Sequence, residues 1–75
     1  MDLELIERIY KITQAGFEAK FISDFEGMIR IDYFEEFNPD FYEHEHVGCP
    51  DQSREKLKLG IENSLDKFIA RNKLK

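Results

Sequence analysis

The sequence has a single cysteine, no long apolar run and one extended stretch without any basic residue. Because Cys49 is alone among 75 residues, an intramolecular disulfide is excluded. Secreted domains of this size usually depend on several disulfides, so a reducing cytoplasm is the expected location. No run approaches the roughly 20 apolar residues of a membrane span, and the acidic start Met1 to Leu5 lacks the features of a signal peptide. We therefore expect a soluble protein that has no membrane partner.

Basic residues are missing from positions 31 to 53, and this gap dominates the charge distribution. The window holds seven acidic residues and no Lys or Arg, whereas the rest of the chain holds nine acids and eleven bases. The window therefore carries −7 and the remainder +2, although the net charge is only −5. A surface of one sign attracts partners of the opposite sign and repels phosphate backbones. Nucleic acid is not expected as a direct ligand of this surface.

What the chain does contain is enough material for one small core. Hydrophobic residues make up 41% of the sequence, including seven Phe and three Tyr, and charged residues make up 36%. This composition is typical of a globular chain rather than a disordered one. The length predicts a single domain. The sequence contains neither repeats nor low-complexity tracts.

The first half of the sequence predicts a helix followed by a β-hairpin. Leu5, Ile9 and Ile12 recur at helical spacing, and Asp2 can cap this helix, which is predicted over residues 2–15. The apolar period then changes to two, which predicts a hairpin over 17–34 with its turn at Asp24-Phe25-Glu26-Gly27. The predicted core-facing residues are Phe17, Ala19, Phe21, Ile29, Ile31 and Tyr33. The opposite face is predicted to hold Glu18, Lys20, Arg30 and Asp32, with ion pairs between the strands.

The second half predicts a third strand and a long helix. Asn38-Pro39-Asp40 predicts a turn, and residues 41–47 predict an edge strand, since neither of its faces is clearly apolar. Pro50 suits the first turn of a helix, which is predicted over 50–72 with Ser53 as an alternative start. Gly60 costs this helix roughly 1 kcal/mol relative to Ala, so we expect it to permit a close approach to the sheet. The order α-β-β-β-α predicts an α+β two-layer sandwich, in which a three-stranded antiparallel meander packs on two helices.

His44, His46 and Cys49 form a candidate metal site. In a strand, the two histidines project from the same face, and the cysteine follows at the strand end. Imidazole nitrogens and thiolates are good zinc ligands. A structural zinc site usually has a fourth ligand, and the chain contains no second Cys or His cluster. No cofactor is therefore expected, and a small metal-binding module remains an alternative.

Cys49 is also a candidate nucleophile, because Pro50 would place it near a helix N-terminus, where the pKa of a thiol can fall. No third, orienting group accompanies it, and so small a domain has little room for a substrate pocket. General acid–base catalysis needs carboxylates in buried, unequal environments, whereas these carboxylates are expected to be solvated. The sequence therefore predicts no enzymatic activity.

The base-free window is also rich in aromatic residues, because five of the ten aromatics of the chain lie within residues 33–42. Interfaces favour aromatic anchors, and complementary charge adds association rate and specificity. The stretch is interpreted either as a solvated acidic loop over a buried aromatic plug or as a surface that binds a basic protein. The candidate partner-binding residues are Asp32, Glu35, Glu36, Phe37, Asp40, Tyr42, Glu43 and Glu45.

The predicted architecture resembles three known families. The element order is that of the double-stranded-RNA-binding domain, but that family relies on lysines where this chain has Pro50-Asp51-Gln52-Ser53. The span 17–70, with its acidic turn Asp24-Phe25-Glu26-Gly27-Met28, is similar to HicB-type antitoxins, which implies a small basic RNase toxin as partner. The order and the base-free window together resemble small acidic anti-CRISPR inhibitors from phages. That resemblance implies carboxylates that occupy a nucleic-acid site in place of phosphates.

The sequence thus predicts a cytoplasmic, non-enzymatic inhibitor of the phage or mobile-element type. Its partner is expected to be a basic protein, in particular a nucleic-acid-binding enzyme, with the acidic window acting as a nucleic-acid mimic. A HicB-like antitoxin component and the metal-binding module are the alternatives. Both a monomer and a homodimer paired through edge strands are compatible with the pattern.

Overall fold

Two helices and three strands alternate as α-β-β-β-α in a computed structural model of the chain, which describes residues 2–23, 27–49 and 51–74. The elements are α1 Leu3–Gln14, β1 Phe17–Ser23, β2 Ile29–Glu35, β3 Asn38–Gly48 and α2 Arg54–Arg71. The strands form one antiparallel sheet in the order β1-β2-β3. The predicted α+β class and meander are confirmed. Within the described residues, neither helix is long and apolar enough to cross a membrane.

Side-chain caps determine where the two helices begin. The Asp2 carboxylate accepts hydrogen bonds from two backbone N–H groups of the first turn of α1. The Ser53 hydroxyl accepts one from the Lys56 N–H at 3.2 Å. Because Ser53 provides this cap, α2 begins at Arg54. Of the two predicted starts, the one at Pro50 is wrong, and the one at Ser53 coincides with the cap. Pro50 itself lies outside the described residues.

The connection between β2 and β3 also differs from the prediction. The chain reverses at Glu36 and Phe37, so the predicted turn at 38–40 is wrong, and β3 has eleven residues instead of the predicted 41–47. Pro39 lies where the pairing of β2 with β3 shifts register. Proline has no N–H to donate and is tolerated at edges and irregularities of a sheet. Of the other predicted turn, Gly27 has a φ of +79°, and residues 24–26 lie outside the described residues.

The core lies between the helices and one face of the sheet. Its fully buried residues are Ile12, Ile31, Tyr33, Leu65 and Phe68. The rings of Tyr33 and Phe68 stack with their centroids 4.1 Å apart, and the Tyr33 hydroxyl lies 2.8 Å from the buried Ser64 hydroxyl. Phe21 was predicted to face the core, but it is 49% exposed. It lies on the edge strand β1, where a side chain has a neighbouring strand on one side only.

Gly60 has the role that its position in the helix predicted. A Cβ atom at this residue would lie 2.3 Å from the carbonyl oxygen of Val47 in β3 and 3.4 Å from the carbonyl carbon. Any side chain would therefore collide with backbone, which cannot rotate away as a side chain can. The close approach of α2 to β3 depends on glycine at this position.

Candidate protein-binding surface

One face of the sheet points away from both described helices. Because side chains alternate along a strand, the residues between the core-facing ones project from this opposite side. The strand register brings them together into a surface, here called the outer face. It comprises Glu18, Lys20, Ile22, Arg30, Asp32, Phe34, Tyr42, His44 and His46.

Asp32 is the buried charge of the outer face, with 3% of its surface exposed. The Arg30 guanidinium donates to both of its carboxylate oxygens, with Nε–Oδ1 at 2.8 Å and Nη2–Oδ2 at 3.3 Å. A buried carboxylate has to be paired in this way to offset its lost hydration. Lys20 likewise pairs with a neighbour on its own strand, Glu18, at 3.8 Å. Among the described residues, the ion pairs of the outer face thus lie within single strands, and the predicted ion pairs between strands do not form. Asp32 is thus held within the fold.

Glu43 and Glu45 point toward the helices, where α2 supplies the bases that the window lacks. Arg71 Nε donates to the Glu43 carboxylate at 2.9 Å, and Arg71 Nη2 makes a second hydrogen bond to the same oxygen. The Lys67 ammonium lies 3.7 Å from the Glu45 carboxylate. A window that is base-free in sequence is therefore partly neutralised in space. Two of the predicted partner-binding residues are engaged in ion pairs within the molecule.

The reversal between β2 and β3 concentrates the remaining acidic candidates. We call Glu35, Glu36, Phe37 and Asp40 the acidic tip. Within the described residues, no cationic nitrogen lies within ion-pair distance of its three carboxylates. Phe37 is 87% exposed, which makes it the most exposed large hydrophobic residue in that part of the chain. The Glu36 N–H donates to the Gly16 carbonyl at 2.8 Å, so the tip is fixed to the junction between α1 and β1.

The aromatic residues of 33–42 divide between the core and the surface. Tyr33 is fully buried, and the Phe41 ring lies 5.2 Å from that of Phe17 beneath the sheet. Phe37 and Tyr42 remain exposed, Tyr42 to 48%. A buried aromatic plug and exposed rings thus occur within the same ten positions, and binding of a basic protein by the exposed rings stays a prediction.

Tyr42 belongs to a row of rings along the outer face, and we call Phe34, Tyr42, His44 and His46 the aromatic row. Successive ring centroids are 5.4, 5.5 and 6.1 Å apart. The Lys20 ammonium lies 5.4 Å from the centroid of Phe34. The alternate spacing of residues 44 and 46 predicted that the two histidines share a face. That Phe34 extends the row across β2 depends on strand register, which the sequence pattern did not specify.

The candidate metal ligands do not come together as a site. His44 and His46 share the outer face, as their spacing predicted. Among the described residues, the ligand atoms of His44, His46 and Cys49 do not all lie within 4.8 Å of one another. The side chains could therefore hold a common ion only after rearrangement at the end of β3.

The group that does meet this spacing is Asp2, Glu4 and Glu62, at the start of α1 and the middle of α2. The Lys58 ammonium lies 2.8, 3.7 and 3.5 Å from their respective carboxylates. A protein cation thus already neutralises this cluster. The hydrogen bond from Lys58 is the largest cause that lowers the pKa of Asp2 below its ordinary value.

Cys49 lies in an environment that opposes thiolate formation. Its hydrogen bond with the Asp51 carboxylate and the negative charge of that group raise the pKa of the thiol. The expected lowering depended on a helix that begins at residue 50, whereas α2 begins four residues later. Among the described residues, the contacts of Cys49 thus raise the pKa of its thiol and do not lower it.

Comparisons with models of protein families, with curated proteins and with solved structures found no match. The likeness to HicB-type antitoxins and to anti-CRISPR inhibitors rests on element order and charge alone and stays a prediction. Fold and surface together define a small α+β domain with an open sheet face and an acidic, aromatic hairpin end.

Proposed function

We propose that this protein is a small, non-enzymatic binding protein that docks a basic protein through its acidic tip. The observation that carries the proposal is Phe37, an almost fully exposed aromatic side chain. It lies among the carboxylates of Glu35, Glu36 and Asp40, which form no ion pair with any described residue. Large aromatic side chains are frequent anchors at the centre of interfaces. Acidic groups around an anchor steer and orient a basic partner.

The tip also satisfies two energetic requirements of an anchor. Burial of a Phe side chain contributes about 1.5–3 kcal/mol relative to its exposed state, and Phe37 has most of this contribution left for a partner. Association is less costly when the contact surface is already ordered. The hydrogen bond from the Glu36 N–H to Gly16 supports such order, because it fixes the reversal to the rest of the fold.

Proteins that handle nucleic acids are the partner class that fits this chemistry best. Their phosphate-binding sites are basic, and three carboxylates on a compact domain can occupy such a site in place of phosphates. An inhibitor that acts as a nucleic-acid mimic and an antitoxin that neutralises a basic toxin are two forms of this function. In both, the tip docks on the site that the partner uses for its own substrate.

The proposal can be tested with matched charge reversals. The variant Glu36→Lys/Asp40→Lys changes two exposed carboxylates of the tip, and the control Glu7→Lys/Glu55→Lys makes the same change of charge on the helices. Each tagged protein is used to capture proteins from a lysate of the native host, and the captured proteins are quantified by mass spectrometry. Circular dichroism verifies that both variants fold.

We expect a basic protein to be retained by the wild type and by the control but not by the tip variant. Its retention should weaken steeply as salt increases, because exposed charges are screened. Docking through the tip would be ruled out if the wild type, the tip variant and the control captured the same proteins. It would also be ruled out if retention of the captured protein did not respond to salt.

A further inference from the structure

The aromatic row continues the surface of the acidic tip along the outer face. Asp40 and Tyr42 lie two residues apart in β3 and are both exposed, at the point where the pairing of β2 with β3 shifts register. Tyr42 then stacks on His44 at 28° between ring planes. A carboxylate, a tyrosine ring and an imidazole ring thus follow one another along an exposed strand.

This surface already binds one cation of the protein itself. The Lys20 ammonium lies 5.4 Å from the centroid of Phe34, within the roughly 6 Å at which a ring attracts a cation. Tyr42 is the next ring in the row, 5.4 Å from Phe34. None of the described residues places a cation over Tyr42. The row therefore presents an exposed ring of the type that binds cations, next to a carboxylate.

We infer that the outer face binds arginine side chains of the basic partner, whose guanidinium groups stack on Tyr42 and His44 while they pair with the acidic tip. This inference rests on the proposed function and specifies the partner's chemistry. A guanidinium group is planar, stacks on aromatic faces and can donate to a carboxylate at the same time. A lysine ammonium is compact and strongly hydrated, so it pairs with the tip but gains less from the rings.

The charge of the two surfaces distinguishes an arginine-bearing protein from other occupants. The acids and bases of the outer face balance, counting Glu18 and Asp32 against Lys20 and Arg30, and the tip adds three negative charges. Single-stranded nucleic acid binds aromatic platforms that lie in a positively charged groove, which this face does not provide. A second copy of the chain would bring the same acidic tip to the contact. A cationic protein segment is the complementary occupant.

The test compares labelled oligoarginine and oligolysine peptides of equal length by fluorescence anisotropy with the full chain. The variants are Tyr42→Leu, which removes the ring, Tyr42→Phe, which keeps it, and Tyr10→Leu as a control. Tyr10 is 62% exposed on α1, so its replacement removes an exposed tyrosine outside the sheet. In addition, NMR of the wild type measures which ring signals shift on addition of oligoarginine.

We expect the wild type to bind oligoarginine more tightly than oligolysine, by roughly 2- to 5-fold for each stacked guanidinium. The preference should disappear in Tyr42→Leu and persist in Tyr42→Phe and Tyr10→Leu. The ring signals of Tyr42 and His44 should shift more than those of Tyr10, a result that holds even if Tyr42→Leu fails to fold.

Equal affinity for the two peptides, a preference that survives Tyr42→Leu, or no binding of either peptide would each overturn the inference. If both peptides bind equally and the reversal of Glu36 and Asp40 abolishes both, docking through the tip stands without arginine recognition. Binding of oligothymidylate that requires Tyr42, or self-association that requires it, would assign the outer face to nucleic acid or to a second copy.

Discussion

Replacement of Gly60 by alanine has two opposing effects on stability, a gain in helix propensity and a collision with the sheet. The sign of the change in the free energy of unfolding therefore tests the packing of α2 on β3. In the interior of a helix, alanine is favoured over glycine by about 0.8–1 kcal/mol. On that ground alone, Gly60→Ala should stabilise α2. The added Cβ, however, would lie 2.3 Å from the Val47 carbonyl oxygen, more than 1 Å inside an ordinary contact.

The magnitude follows from what would have to move. The obstacle is backbone of β3, so relief requires α2 to shift away from the sheet that it covers. Forcing extra atoms into a packed interior costs about 1–3 kcal/mol, and a contact with rigid backbone belongs in the upper part of that range. After the gain in helix propensity, we expect Gly60→Ala to lower the free energy of unfolding by about 1–2 kcal/mol. For a domain of this size, each 1 kcal/mol lowers the melting temperature by roughly 4–8 °C.

The assay is urea unfolding followed by circular dichroism, with Asn63 as the reference position. Asn63 is exposed in the same helix, so the difference between Asn63→Ala and Asn63→Gly measures helix propensity alone. At residue 63 alanine should be the more stable choice, and at residue 60 glycine should be. If Gly60→Ala is as stable as the wild type or more stable, the described approach of α2 to β3 is wrong.

Three further predictions concern single side-chain contacts. Tyr33→Phe should cost about 1–2 kcal/mol in urea unfolding, because the buried Ser64 hydroxyl loses its partner, and Tyr33→Phe/Ser64→Ala should recover part of this loss. An unchanged stability of the single variant would contradict the hydrogen bond. Asp2→Asn keeps a capping side chain but loses the ion pair with Lys58. In the wild type, this ion pair lowers the pKa of Asp2. The wild type should therefore be more stable than Asp2→Asn above pH 3.8, and this advantage should vanish as the pH falls through the lower pKa of Asp2 in the folded state. A difference in stability that persists in acid would refute the role of the ion pair. Iodoacetamide should alkylate Cys49 more slowly in the folded chain than in denaturant, because its hydrogen-bonded carboxylate raises the pKa of the thiol, and equal rates would contradict that environment.

The sequence pattern predicted those parts of the fold that depend on local chemistry. The cap at Asp2, the change of period at Phe17 and the need for glycine at residue 60 can each be inferred from a few neighbouring residues. The turn at 38–40 was predicted by the same local rules and was wrong. Asn-Pro-Asp favours a turn in isolation, whereas an edge strand with a register shift accommodates Pro39, and edge position is a property of the whole sheet.

The candidate surface was harder to predict, because the sequence shows the order of charges along the chain and not their neighbours in space. Glu43 and Glu45 lie in a base-free window of the sequence, yet Arg71 and Lys67 of α2 lie beside them in space. Only the packing of α2 on β3 reveals this neutralisation. Glu36, Phe37 and Asp40 kept their predicted exposure at the reversal between β2 and β3, whereas Glu35, at the end of β2, is half-buried.

The pairing of β3 with α2 has a consequence for how this surface can change over time. Glu45 lies on the strand that carries the outer face, while Lys67, its partner, is exposed on the helical side of the molecule. A neutral residue at position 67 would leave the Glu45 charge uncompensated and make the electric field around the strand more negative within a Debye length of about 8–10 Å. Under the proposed function, a mutation at the back of the domain thus adjusts how strongly the front attracts a basic partner. Affinity can drift in this way while every residue that touches the partner stays the same.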